Sequence, residues 1–381
     1  MRYTSNRSRR QSEGIYASDL NYKSDMAVAL SRRLVGQPAA IAAIVPYLEM
    51  YRARLAPEGR PAGVFLLLGP TGTGKTKTVE ALADVLHASP KKLLKVDCGE
   101  YQMEHEVAKL LGAPPGYLGH RETQPLLTQA KLSAAASESC DLSIVLFDEI
   151  EKAAPTLVRL LLGVLDKGTL RLGDSTLVNF EKSMIFLTSN LGARDMSHEL
   201  RPEFGFESNL PRSDSNHDRK LDRIGRLAVR KNFSPEFINR IDAVVTYQPL
   251  DAEALTAILN QQIEDLQAHI NRRLGEQAFR IEVPARSRKF LLERGTSPEY
   301  GARELKRTVQ RYLIQPLALM VASGEVPGAQ EGAPEGHAFA PGGHVRAELG
   351  PCKGKLVLRI LVQRALISAC EEGPVEGSLI N

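Results

Sequence analysis

The stretch Gly69 to Thr76, GPTGTGKT, constrains this chain more than any other, because it matches G-x-x-x-x-G-K-[ST]. It directly follows the apolar run VFLLL and opens the helical pattern KTKTVEALADVLH. A loop of this kind works only between a strand and a helix. Its glycines let successive backbone N–H groups turn inward on an anion, and the helix N-terminus adds positive potential. The pattern therefore predicts a nucleoside triphosphate site in which Gly69, Pro70, Thr71, Gly72, Thr73 and Gly74 form the cradle. Lys75 would reach the β- and γ-phosphates, and Thr76 would ligate Mg²⁺.

The surrounding pattern supplies the sheet that such a loop needs. Five short apolar runs, at 63–69, 92–98, 142–149, 183–190 and 243–249, alternate with helical periodicity. Runs of this length read as parallel strands buried on both faces, so residues 25–250 are expected to form an α/β domain around a five-stranded sheet. From Asp251 the pattern changes. DAEALTAILNQQIEDLQAHINRRL reads as a long amphipathic helix with Asp251 as its N-cap. SRKFLLERG and GARELKRTVQRYLIQPLALMVAS add helices, which predicts a small, mainly helical domain over 251–325. Residues 326–381 hold a Gly/Pro-rich stretch, read as disordered, and then HVRAEL and KLVLRILV, expected to pair as a hairpin completing that domain. Residues 1–24 read as a disordered basic tail.

Two further runs end at the sheet edge where ligands of open α/β sheets bind. IVLFDE carries four apolar residues into Asp148 and Glu149. Asp148 is placed to hold Mg²⁺. Glu149, one step on, is placed to take a proton from attacking water, and it separates a hydrolase from a kinase. LTSN puts Asn190 at the same edge, where an amide can orient water or a γ-phosphate.

Composition narrows the class. A formal charge of +4 over 381 residues gives no concentrated basic face, so nucleic acid is not an expected partner. Cys98, Cys140, Cys352 and Cys370 lie far apart without a C-x-x-C pair, which excludes zinc sites built from close cysteine pairs. His105-Glu106 is followed by Lys109 where HExxH needs histidine. No apolar stretch of about 18 residues occurs, and the N-terminus lacks the apolar core of a secretory signal. A cytoplasmic protein without a membrane partner is expected.

With these residues in place, the chain resembles the AAA+ superfamily, and more narrowly the second ATPase domain of the Clp-type unfoldases and disaggregases. The resemblance runs through RRLVGQPAAI, GPTGTGKT, GAPPGYLG, LFDEIEKA, LTSN, FSPEFINRIDAVV and YGARELKR, over roughly residues 30–325. It implies an AAA+ P-loop fold with a helical lid, binding ATP with Mg²⁺ and hydrolysing it in a homo-hexamer. Arg240 would be an arginine finger on a neighbour's ATP, Arg303 the second sensor, Asn190 the first, and Val35 and Gly36 would lie near the adenine. Gly116, Tyr117, Leu118 and Gly119 would form a pore loop in which Tyr117 grips unfolded or tagged proteins, and GTLRLGDSTLV a second one. Phe204-Gly205-Phe206 would dock a Clp-type peptidase. The N-terminal domain, first ATPase ring and coiled coil of full-length disaggregases have no counterpart here, so a stand-alone motor is expected. A DNA-handling motor would want basic pore loops, yet PPGYLGHRE offers an aromatic and balanced charge. An assembly switch that threads nothing is the other alternative.

Overall fold

In the computed structural model, residues 24–112, 125–199, 214–275, 278–297, 300–323, 344–349 and 356–361 are described. The pore-loop candidates Gly116, Tyr117, Leu118 and Gly119, the Phe204-Gly205-Phe206 segment, residues 1–23 and the Gly/Pro-rich stretch lie outside them. Two compact units emerge. One comprises residues 1–254 with 297–303, and the other 255–296 with 304–381. The short segment Ser297–Arg303, placed by sequence in the helical domain, groups instead with the first unit.

The first unit is built on strands β1 (Gly63–Leu68), β2 (Leu94–Asp97), β3 (Ser143–Asp148), a short antiparallel hairpin β4 (Thr169–Arg171) and β5 (Leu177–Asn179), then β6 (Ser183–Ser189) and β7 (Ala243–Thr246). The hairpin occupies the GTLRLGDSTLV segment. The main sheet runs β2-β3-β6-β1-β7, and every pairing in it is parallel.

Alternation of side chains splits this sheet's apolar content between two cores. Val64, Leu66, Leu68, Val145, Phe147, Ile185 and Leu187 face one cluster, with Val107 and Leu110 of helix Glu104–Leu111 and Leu157, Leu161 and Val164 of helix Pro155–Lys167. Phe65, Leu67, Ile144, Leu146, Met184 and Phe186 face the other, against helices Pro38–Arg52 and Lys75–His87. Strands covered on both faces read as near-continuous apolar runs, as VFLLL in β1 and MIFL in β6 do, and both strands are buried throughout, with Ser183, Thr188 and Ser189 at the ends of β6. β2 departs from that expectation. As an edge strand paired only with β3, it buries Leu94 and Val96 and exposes Lys95 and Asp97.

The second unit holds helices Ala285–Gly295 and Gln315–Ala322, most of Ala252–Leu274 and Ala302–Val309, and a three-stranded sheet. In that sheet β8 (Arg280–Glu282) pairs parallel with β9 (His344–Leu349), which pairs antiparallel with β10 (Leu356–Leu361). β8 is not among the elements expected from the sequence, although Phe279, Ile281 and Val283 are buried and alternate with exposed Arg280 and Glu282. The stretch expected as one helix after Gly301 widens to a π turn at Gln310–Ile314. Pro316 follows at once, and its missing N–H removes the bond that would continue the α-helical ladder.

A candidate nucleotide site at the sheet edge

The order of the strands brings the separate motifs together. β6 lies between β1 and β3, so the loop after β1, the carboxylates ending β3 and the residue after β6 meet at one C-terminal edge. Within the loop, Gly69, Gly72 and Gly74 have φ of +143°, +78° and +105°. Two of them are also sterically obligatory. A Cβ on Gly69 would stand 2.8 Å from the Tyr247 carbonyl, and one on Gly72 only 2.0 Å from the Tyr300 carbonyl. Gly74 caps the 13-residue helix Lys75–His87 without a side chain, which leaves the first helical N–H groups open toward an anion. Thr73 Oγ1 donates to the Pro70 carbonyl at 2.9 Å and Thr71 completes the loop.

Lys75 is 8% exposed. Its ammonium donates to the Gly69 and Pro70 carbonyls at 2.6 and 2.9 Å and to Asn190 Oδ1 at 2.9 Å. Burial drives its pKa down to about 8, against the pull of Glu151, Asp148 and Glu149, and the charge of Arg303 lowers it further. A buried cation surrounded by carbonyls and open N–H groups suits the terminal phosphates of a nucleotide.

Asn190 joins this lysine to the carboxylates, since its Nδ2 makes a long 3.5 Å contact with Glu149 Oε1. Glu149 sits at φ 57°, ψ 50°, a left-handed conformation unusual for a side-chain-bearing residue. Its N–H donates to Thr188 Oγ1 at 3.0 Å, whose hydroxyl donates to Asp148 Oδ1 at 2.5 Å. Lys152 pairs with Glu149 Oε2 at 2.5 Å.

Asp148 and Thr76 stand side by side, with 3.5 Å between Oδ1 and Oγ1. A hydroxyl and a carboxylate fit a hard cation that accepts oxygen ligands and takes the rest from phosphate and water. Burial pushes the Asp148 carboxyl up, but hydrogen bonds from Lys95 and Thr188 outweigh it and hold the group below the ordinary carboxylate value. Lys95, from the exposed side of β2, is 2.8 Å from Oδ2. Among the described residues, no cluster of three or more His, Cys, Asp or Glu is placed to hold a metal by itself.

The remaining expected residues are spread wider. Val35 is half-buried and Gly36 exposed. Beside them Gln37, to which the sequence reading gave no role, reaches the P-loop carbonyl of Thr73 at 3.1 Å. Arg303 is exposed, just after the Tyr300–Ala302 turn, whose Ala302 N–H donates to the Gly72 carbonyl at 3.1 Å. Arg240 makes its contacts away from the loop, to the Glu236 carbonyl at 2.8 Å and to the Asp166 and Glu236 carboxylates at 3.4 Å. Sequence reasoning missed Gln37, Lys95 and Thr188, since each acts through a neighbour that only the folded sheet supplies.

Comparison with known proteins finds likeness along most of the chain. Residues 60–244 match the family described as AAA domain (Cdc48 subfamily), and residues 250–332 match the C-terminal, D2-small domain, of ClpB protein. The chain is 37% identical over 297 residues to the chaperone protein ClpB of Meiothermus ruber, covering 78% of this chain and 32% of that protein. It is 38% identical over 297 residues to the ClpB of Aquifex aeolicus, covering 78% and 28%. Among solved structures, the S. cerevisiae Hsp104:casein complex in its extended conformation superposes with a TM-score of 0.71 at 26% identity, covering 91% of this chain and 54% of that one. The chain thus spans about a third of the length of these curated relatives. No helix among the described residues is long and apolar enough to cross a membrane.

Proposed function

The chain belongs to the Clp-type AAA+ family, carrying its AAA domain followed by a D2-small domain, and from that premise we propose that it is an ATP-driven protein unfoldase. The observation that carries the hydrolase part is the run of contacts from Lys75 through Asn190 to Glu149. Lys75 and the loop N–H groups bind the β- and γ-phosphates of ATP. Glu149 accepts a proton from the attacking water, and Asn190 orients that water against the γ-phosphate. Thr76 and Asp148 would hold Mg²⁺, which would supply neutralising charge to the phosphate oxygens. Val35 and Gly36 lie along the adenine, and Arg303 senses the phosphates.

Arg240, paired with Asp166 and Glu236, serves a neighbouring subunit's ATP in a homo-hexameric ring. Gly116, Tyr117, Leu118 and Gly119 line its channel, where Tyr117 grips polypeptide by apolar contact and its polar rim. Solved Hsp104 was bound to casein, and the relatives are named as chaperones, which favours unfolded protein as the substrate class. The same names argue for a chaperone working without the peptidase that Phe204-Gly205-Phe206 was expected to dock.

Two variants test the reading. Glu149→Gln should bind ATP and assemble without turnover, and continued hydrolysis would remove Glu149 from its role. Tyr117→Ala should hydrolyse ATP yet fail to unfold a tagged fluorescent protein. Normal unfolding by that variant would remove Tyr117 from the gripping role, and a wild-type chain that hydrolyses ATP without unfolding the protein would leave a nucleotide switch or DNA motor instead.

A further inference from the structure

We propose that Glu151 is a positioning residue for ATP hydrolysis, its carboxylate fixing the end of β6 so that Asn190 stands between Lys75 and Glu149. The inference rests on the ATPase reading above. It starts from the turn that follows β3. Glu149 in its left-handed conformation reverses the chain, and Ile150, with no exposure, plugs into the core beneath the sheet edge. The single 3-10 turn Ile150–Lys152 is closed by Lys152 N–H donating to the Glu149 carbonyl at 2.9 Å and Ala153 N–H to Ile150 at 3.2 Å. With Ile150 anchored, Glu149 and Glu151 emerge on its two flanks, both at the nucleotide site.

Glu151 Oε1 accepts the backbone N–H of Asn190 at 2.9 Å. That donor needs a partner, because the parallel ladder of β6 ends one residue earlier, at the Leu68–Ser189 pair. The Asn190 carbonyl meanwhile accepts from Ala193 N–H at 3.1 Å. Both backbone polar groups of Asn190 are therefore tied, and its amide is presented with Oδ1 on Lys75 and Nδ2 toward Glu149. A carboxylate acceptor makes a stronger tether than a neutral one. The other oxygen, Oε2, is solvent-inaccessible and without a hydrogen-bond partner among the described residues. Glutamine would set an equally idle donor at this place, so Glu151→Gln keeps the tether and removes only the charge. That charge acts on Lys75 across the same site.

The test uses the full chain with Glu151→Ala, Glu151→Gln and Asn190→Ala. Loss of one tethering hydrogen bond predicts that Glu151→Ala lowers kcat about tenfold. The Kd for a fluorescent ATP analogue should stay within about twofold of wild type. Glu151→Gln, which keeps an acceptor for the Asn190 N–H, should recover kcat to within about threefold. On an Asn190→Ala background, Glu151→Ala should add less than about twofold, because both act through one residue. Hydrogen exchange of the Asn190 amide should speed about tenfold in Glu151→Ala and not in Glu151→Gln, with or without ATP turnover. Wild-type kcat and exchange in Glu151→Ala, additive double-mutant effects, or a glutamine variant as impaired as alanine would each overturn the proposal. A wild-type chain that hydrolyses no ATP would instead sink the ATPase reading, while the exchange measurement still judges the tether.

Discussion

Gln37 carries a prediction that can be worked through from its contacts. It is 3% exposed and joins segments far apart in sequence. Its Nε2 donates to the Thr73 carbonyl at 3.1 Å and to the Gln248 carbonyl at 2.8 Å, and its Oε1 accepts the Gln248 N–H at 3.3 Å. The amide thus staples the P-loop to the chain leaving β7. Gln37→Ala deletes all three bonds, and at about 1 kcal/mol net for each the loss is about 3 kcal/mol. Water entering the gap makes that an upper figure. Gln37→Glu keeps the shape and the bond from Gln248 N–H, but sets an acceptor against both carbonyls and buries a charge. It should be at least as damaging as alanine. The chain contains no tryptophan, so urea denaturation is best followed by circular dichroism, with binding of a fluorescent ATP analogue measured in parallel. Loosening one side of the P-loop by about 1 kcal/mol predicts a Kd raised about fivefold in Gln37→Ala. The reasoning is refuted if Gln37→Ala stays within about 0.5 kcal/mol of wild type, or if Gln37→Glu is the more stable of the two.

Two further outcomes follow from the same loop. In Gly72→Ala the new Cβ would lie 2.0 Å from the Tyr300 carbonyl at φ +78°, so the loop and the Tyr300–Ala302 turn cannot both keep their places. Binding of the ATP analogue should weaken by at least about tenfold with the circular dichroism unchanged. Lys75 sets a pH dependence whose sign is fixed by its lowered pKa of about 8. The folded chain holds that proton less tightly than the unfolded chain, so stability is penalised below pH 8 and relieved as pH rises toward the ordinary lysine value. Phosphates bind the charged form, so nucleotide affinity should run the other way and fall as pH rises through about 8. Calorimetry in buffers of different ionisation enthalpy should find proton uptake on binding near that pH, and Lys75→Met should abolish it.

Much of the main sheet was legible because a strand covered on both faces carries a near-continuous apolar run, and such runs stand out against helical periodicity. The P-loop and the Asp148-Glu149 pair were legible for a related reason, since their chemistry depends on neighbours in sequence. Asn190 was only half legible, as a polar residue ending an apolar run. β8 escaped notice because three residues with two exposed side chains leave little pattern, and the π turn because Pro316 acts on carbonyls of the preceding turn.

Sequence by itself determined the loop proposed to bind phosphate and the pair of carboxylates proposed to face it, since strand, loop and helix follow one another without a gap. Only the tertiary structure decided that β6 lies between β1 and β3, and from that one placement comes the site's wiring. It sets Asn190 between Lys75 and Glu149, lets Thr188 bridge Asp148 to the Glu149 backbone, and brings Glu151 under the Asn190 amide. Strand order arises from burying two apolar faces at once under two layers of helices. It is a property of the whole packed domain, which no local stretch of residues encodes.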